Sequence, residues 1–253
     1  MGRKGNQKGT EVDPMQEIIQ RAKSLGPVDK PYVCRFCGKG YVKESTLSNH
    51  LCEQKRRYQQ RNEKGVVIGF QAYQRFFQYT QNSLKNKTYE EFAKSPYYGA
   101  FVKFGRYVHG LDAVNTNRFI DWIVRSNKKL DHWCKDEYYE EYLQDFLKKE
   151  NPQDALERTV LCASKWAEET GSQLNHYFLY ASTNRIVQAI VNGRISPWAI
   201  YCSSSGVEML EKLNEEQIAY VYKWIDPEYW QKKLKTHSDD AEFCKSVLKK
   251  AGF

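Results

Sequence analysis

Beyond Gly65 the apolar positions of this chain recur with a helical period. Phe70, Tyr73 and Phe77 fall at i, i+3 and i+7, the stripe of an amphipathic helix. Thr88 and Glu91 have the spacing of a capping box and open the next helix. Pro96 starts a third, in which Phe101, Phe104 and Val108 share a face and Gly110 supplies the stop. Its other side carries Lys103, Arg106 and His109, read as a solvated basic row. A further segment buries Phe119, Ile120 and Ile123, and Trp133 follows it. In DEYYEEYLQDFLKK, Asp136 and Glu137 suit the N-terminus and Lys148 and Lys149 the C-terminus, each complementing the helix dipole. Asn151-Pro152 then caps a long helix with Leu156, Val160 and Trp166 as its core face.

A composition break at Thr170-Gly171-Ser172 divides this region, and shorter helical segments follow it. Gly193 closes one, Ser196-Pro197 opens another, Asn214 and Asp226-Pro227 begin two more, and Ser238 caps the last. Ser203-Ser204-Ser205-Gly206 reads as a loop. Strand signals are nearly absent and no fixed-period repeat is present. The expected fold is all-α, with an aromatic-rich helical domain over 65–170 and a C-terminal helical domain over 171–253.

The first 64 residues follow different rules. Residues 1–13 are Gly- and Lys-rich without apolar periodicity and are expected to be disordered. Asp13-Pro14 opens a short helix with Ile18 and Ile19 as a small apolar face, ended by Gly26-Pro27. This tail and helix occupy 1–29, and a compact module with a basic extension occupies 30–64.

Charge sharpens that division. The chain has 253 residues with a formal charge of +8, yet residues 1–64 hold 14 Lys/Arg against 7 Asp/Glu while the remainder holds 25 against 24. A basic excess confined to one module points to a polyanion, nucleic acid above all. Seven cysteines, with no secretory apolar region ahead of them, argue for a reducing cytoplasm over a disulfide framework. No apolar run approaches the roughly 20 residues of a membrane span.

The strongest chemical signal is KPYVCRFCGKGYVKESTLSNHLC, Lys30 to Cys52. Cys34 and Cys37, two residues apart, can form a knuckle around a tetrahedral Zn²⁺, and His50 with Cys52 can complete the site. Tyr41 and Leu47 fill a core too small to stand without metal. The stretch resembles the two-Cys, two-His zinc fingers, a ββα fold, with Cys34, Cys37, Tyr41, Leu47 and His50 in register. It departs from them at the fourth ligand, because residues 53–55 are Glu, Gln and Lys. Residues i and i+2 of a regular helix point about 200° apart, so Cys52 reaches the metal only if the helix ends or tightens just after His50. The resemblance implies that Lys43, Thr46 and Asn49 face bases. The run after the finger supplies Lys55, Arg56, Arg57, Arg61 and Lys64 for phosphates, which favours sequence-tolerant binding.

A second resemblance covers residues 66–250. The order FQAYQRFF, SPYYGAFVKFGRYV, RFIDWIV, YYEEYLQDFLKK and NRIVQAIVNGRISPWAI is similar to the helix order of the helicase-loading proteins of T-even-like phages, although that family begins without a finger. The whole chain also resembles a finger-bearing protein of T-even-like marine phages. These resemblances imply a non-enzymatic, DNA-binding replication accessory in the host cytoplasm. Implied partners are forked, single-stranded or duplex DNA, the replicative helicase and single-strand-binding protein, with RNA polymerase a further candidate.

Two alternatives stand beside that reading. The finger can instead dock on a polymerase or helicase, making the chain a protein adaptor. The acidic cluster Asp136, Glu137, Glu140, Glu141 and Asp145 can hold Mg²⁺ for a nuclease. Phosphate-binding Gly-Lys-Ser/Thr loops, Gly-x-Ser-x-Gly elbows and His-Glu-x2-His pairs are absent from the sequence. His132 and Cys134 repeat the His-x-Cys spacing without a second Cys pair and read as structural, and Cys162, Cys202 and Cys244 at apolar helix positions read as buried thiols.

Overall fold

The computed structural model describes residues 13–26, 29–81 and 86–253. Residues 1–12 of the expected tail and Pro27 of the Gly26-Pro27 stop lie outside these. The chain divides into two compact units, the first ending at Asn62 and the second spanning Glu63–Phe253.

The first unit opens with α1 (Pro14–Ser24), where the Asp13 carboxylate accepts a hydrogen bond from the Met15 amide at 3.0 Å. Ile18 and Ile19 on this helix are exposed. Strands β1 (Tyr32–Val33) and β2 (Gly40–Tyr41) pair antiparallel, Tyr32 with Tyr41 and Val33 with Gly40. Helices α2 (Glu44–Asn49) and α3 (Glu53–Gln59) follow, and a 3-10 turn at Gln60–Asn62 ends the unit.

Among its described residues the second unit is helical throughout. It begins with α4 (Lys64–Gln81), α5 (Tyr89–Lys94), α6 (Tyr98–Gly110) and α7 (Thr116–Arg125). Next come α8 (Asp136–Lys149), α9 (Pro152–Thr170), α10 (Tyr177–Tyr180), α11 (Thr183–Val191) and α12 (Pro197–Tyr201). The chain finishes with α13 (Ser204–Glu211), α14 (Glu215–Ile225), α15 (Pro227–Thr236) and α16 (Ser238–Lys250). Several ends form as their caps dictate. Thr88 and Glu91 exchange both bonds of the capping box, and Asn214 with Gln217 does the same for α14.

The tightest contact is between α4 and α6. Gly65 and Gly69 lie on one face of α4, against Gly105 of α6, and a Cβ on Gly105 would sit 2.0 Å from the Gly65 carbonyl oxygen. Backbones this close leave no room for any side chain there. Around the crossing, Phe76, Phe101 and Phe104 surround the buried Trp133, with ring centroids 6.0, 5.8 and 5.2 Å from it. The same core continues through Tyr142, Ile190 and Trp224, drawing on both sides of Thr170. Thr170-Gly171-Ser172 is the end of α9, where Gly171 adopts φ 67°. A smaller cluster joins Leu156, Trp198, Trp230 and Cys244.

Three local expectations are corrected. Ser203 through Gly206 is a helix start, because the Ser203 hydroxyl accepts the Gly206 amide at 3.1 Å and Val207 and Met209 continue the turn. The helix expected to start at Pro96 begins at Tyr98, with Pro96 in the turn before it, and ends at Gly110 as expected. Ser238 is the first residue of α16, and His237 occupies the cap position without a side-chain bond. Cys202 and Cys244 are buried as expected, whereas Cys162 is half-buried beside the Tyr177 hydroxyl.

Candidate metal centre

Cys34 sits at the end of β1, and the turn after it is closed by the Gly38 amide donating to the Cys34 carbonyl at 2.8 Å and the Cys34 amide donating to the Lys39 carbonyl at 2.9 Å. Gly38 carries φ 73°, a left-handed position that glycine takes without strain. This turn holds Cys34 and Cys37 side by side. Burial raises the Cys34 thiol, but amides of Cys37 and Phe36 aimed at its sulfur outweigh that, so its pKa lies below the ordinary thiol value. The Lys39 amide acts on Cys37 in the same sense, while desolvation and the neighbouring sulfurs prevail and raise it.

The second ligand pair depends on a break in the helix. α2 ends at Asn49, and His50 is already extended with ψ 119°. Cys52 is extended as well, at φ −80° and ψ 165°. In extended chain, i and i+2 project to the same side, which brings His50 and Cys52 to one centre. Tyr41 packs its ring 5.0 Å from the His50 ring and Leu47 is half-buried beneath the site.

The four ligand atoms of Cys34, Cys37, His50 and Cys52 lie within 4.8 Å of one another. Cys34 Sγ is 4.0 Å from Cys52 Sγ, and Cys37 Sγ is 3.3 Å from His50 Nε2. A tetrahedral ion with sulfur at about 2.3 Å and nitrogen at about 2.0 Å needs separations of about 3.8 and 3.5 Å. The cluster therefore fits a four-coordinate metal. Among the described residues it is the one group of three or more ligand-bearing side chains so arranged.

Cys52 also begins the next element. Its Sγ accepts the Lys55 amide at 3.3 Å, making it the N-cap of α3, so the basic run is a helix that starts at a member of the Cys/His cluster. A contact absent from the motif holds α3 to the knuckle: the Phe36 and Tyr58 rings lie 5.3 Å apart. Arg35 stacks on Phe36 at 4.8 Å and Arg61 on Tyr58 at 4.3 Å. Sequence reasoning missed Arg35, Phe36 and Tyr58. The available signal was an aromatic residue inside the Cys pair and another within the basic run.

Of the expected DNA-facing residues, Lys43, Thr46 and Asn49 are all exposed on or beside α2. Arg56 and Arg61 are exposed on α3 and the turn after it. Lys55 is half-buried and donates to the His50 carbonyl at 3.1 Å, and Arg57 pairs with Glu53 one turn back. Lys64, counted with the finger by sequence, is the exposed first residue of α4 in the second unit.

The acidic cluster of α8 is dispersed among individual partners. Asp136 accepts from the Tyr107 hydroxyl at 2.9 Å, and Glu137 meets Lys135 at 3.1 Å. Glu140 meets Lys223 at 2.5 Å, Glu141 meets Lys128 at 3.3 Å, and Asp145 meets Lys149 at 2.6 Å. Among the described residues, no helix is long and apolar enough to cross a membrane.

Comparison with protein-family models, curated proteins and solved structures finds no match to this chain. The likeness of residues 66–250 to helicase-loading proteins accordingly rests on its helix order alone.

Proposed function

We propose that Cys34, Cys37, His50 and Cys52 hold Zn²⁺ and that the finger, extended by α3, is a DNA-binding module of a non-enzymatic replication accessory protein. The observation that carries this reading is the double role of Cys52. As ligand and N-cap at once, it makes metal binding the event that fixes the basic helix. Three thiolates and one imidazole are a donor set that zinc accepts in closed, structural sites. Lys43, Arg56 and Arg61 then present cations on one ordered module, and the charge excess of residues 1–64 falls there. Such contacts are to phosphates, so affinity exceeds sequence discrimination, and a single finger spans only about three base pairs.

A second reading has its own observation. An open groove of about 340 Å³ at the centre is lined by Val33, Phe36 and Leu47 with Arg35 and Lys55 and with Cys34 and His50 of the cluster, and Val33, Val42 and Leu51 are exposed. That surface suits a finger that grips a protein such as a helicase or polymerase.

One experiment separates the two. The zinc-loaded protein is titrated with duplex, single-stranded and forked DNA across a salt series, beside an Arg56→Ala/Arg61→Ala variant. DNA binding predicts a log–log salt slope about two phosphates shallower in the variant, near 0.9 per duplex phosphate. No affinity for any form at physiological salt would give the finger to a protein partner.

A further inference from the structure

The helical body carries a second surface with nucleic-acid chemistry, separate from the finger. Helices α7 and α8 flank an open groove of about 600 Å³. On α7, Arg118, Trp122 and Arg125 fall at i, i+4 and i+7, so one helical face presents a cation, an indole and a second cation to the groove. A rise of about 1.5 Å per residue spaces the two arginines about 10 Å apart along the axis with Trp122 between them. Trp122 is half-buried, its ring 6.5 Å from Phe119 and 6.0 Å from Tyr142, which fixes it while it lines the groove.

Charge decides what the groove accepts. Three carboxylates border it, and each is paired: Asp121 with Arg75 at 3.5 Å, Glu141 with Lys128 at 3.3 Å and Asp145 with Lys149 at 2.6 Å. Arg118 rests over the Phe146 ring at 5.2 Å, and both it and Arg125 are exposed without a carboxylate partner among the described residues. The uncompensated charge is thus positive and sits on either side of a rigid aromatic ring.

From this arrangement we infer that the α7–α8 groove is a single-stranded nucleic-acid site, in which a nucleobase stacks on Trp122 and the flanking phosphates engage Arg118 and Arg125. A duplex keeps its bases stacked on one another and cannot offer a free face to the indole, so the site selects unpaired strands. The groove does not depend on the finger reading, since every residue named belongs to the second unit.

The test uses the full chain with Cys34→Ser, which disables the metal centre, and follows binding of a fluorescein-labelled oligothymidylate by anisotropy. Oligothymidylate binds this background, and adding Trp122→Ala weakens it about tenfold or more, the loss of one stacked base. Adding Arg118→Ala/Arg125→Ala instead lowers the log–log salt slope by about 1.4, two single-strand phosphates. These arginines are exposed, so an unchanged melting curve verifies that the arginine variant is folded. Absence of oligothymidylate binding in the Cys34→Ser background overturns the proposal, as does binding indifferent to both sets of substitutions. Retention of a polyglutamate peptide in place of the oligonucleotide overturns it too, assigning the groove to an acidic protein segment. Loss of duplex binding alone in Cys34→Ser bears on the finger and leaves the groove intact.

Discussion

Cys52 performs two tasks that substitution can separate. In the proposed zinc site it contributes a thiolate, and as the N-cap of α3 it accepts the Lys55 amide. Serine is a strong N-cap but lacks the soft donor, so Cys52→Ser keeps the cap and loses the ligand, whereas Cys52→Ala loses both. Both variants are expected to lose zinc affinity by more than the 10–100-fold typical of an outer-shell change, measured by competition with a chromophoric chelator. Only Cys52→Ala should further destabilise α3, by about 1 kcal/mol. Equal zinc affinity in wild type and Cys52→Ser would remove Cys52 from the ligand set. The spacing of Cys34, Cys37 and His50 made three ligands legible in the sequence. The fourth was named together with its condition, a helix that ends or tightens just after His50, and the structure meets it one residue earlier, with the helix stopping at Asn49 and His50 and Cys52 extended. Nothing in ESTLSNHLC marks that stop by Gly or Pro.

At the scale of elements, short-range signals translated directly and long-range ones did not. Thr88 with Glu91, Asn151-Pro152 and Asp226-Pro227 act through backbone groups within a few residues, and each forms the cap its sequence implied. The glycines of α4 and α6 show the opposite case, since Gly65 and Gly69 matter only because Gly105 arrives from another helix. Gly105→Ala forces these backbones apart and is expected to cost about 3 kcal/mol or more, at the upper end of overpacking effects, seen as a lowered denaturation midpoint. Gly99→Ala, on the same helix with open space around it, should leave stability unchanged or slightly raised. Asp226 joins α14 to α15 while accepting bonds from Lys148 at 2.9 Å and the Tyr229 amide at 3.2 Å. Burial opposes its ionisation, but those two donors outweigh it and hold the carboxyl below its ordinary 3.8. A depressed acid stabilises the fold above the unfolded pKa and loses that contribution as pH falls through the lower folded value. Asp226→Ala should therefore destabilise by about 1 kcal/mol at pH 7. The gap to wild type should narrow as acid denaturation curves pass below pH 3.8, and a constant gap would refute the ionic origin.

Over the whole molecule, the two units are stabilised by different means, and this makes metal removal informative. The first has Cys34 as its one buried hydrophobic residue among those described, with Tyr41 and Leu47 only half-buried. Under the proposed zinc reading its order comes from the metal. The second buries Trp133, Trp198, Trp230 and a row of phenylalanines, a core that folds by apolar burial. Composition revealed the basic and helical parts. It also suggested a division at Thr170, which the packing uses as a helix end, because contacts between residues far apart in sequence, such as those of the core that holds Tyr142, Ile190 and Trp224, leave no local mark. Chelation should therefore abolish the structure of the first unit while the thermal transition of the second stays within a degree or two. The measurements are near-ultraviolet circular dichroism for the tryptophan core, all six tryptophans lying beyond Asn62, and proteolysis between Lys30 and Arg61 for the finger. Protection of that stretch in the metal-free protein would show that the finger stands without its ion, and the coupling of metal to the basic helix would fall with it. Cleavage there beside an intact tryptophan signal would show that the metal orders only the finger and its basic extension.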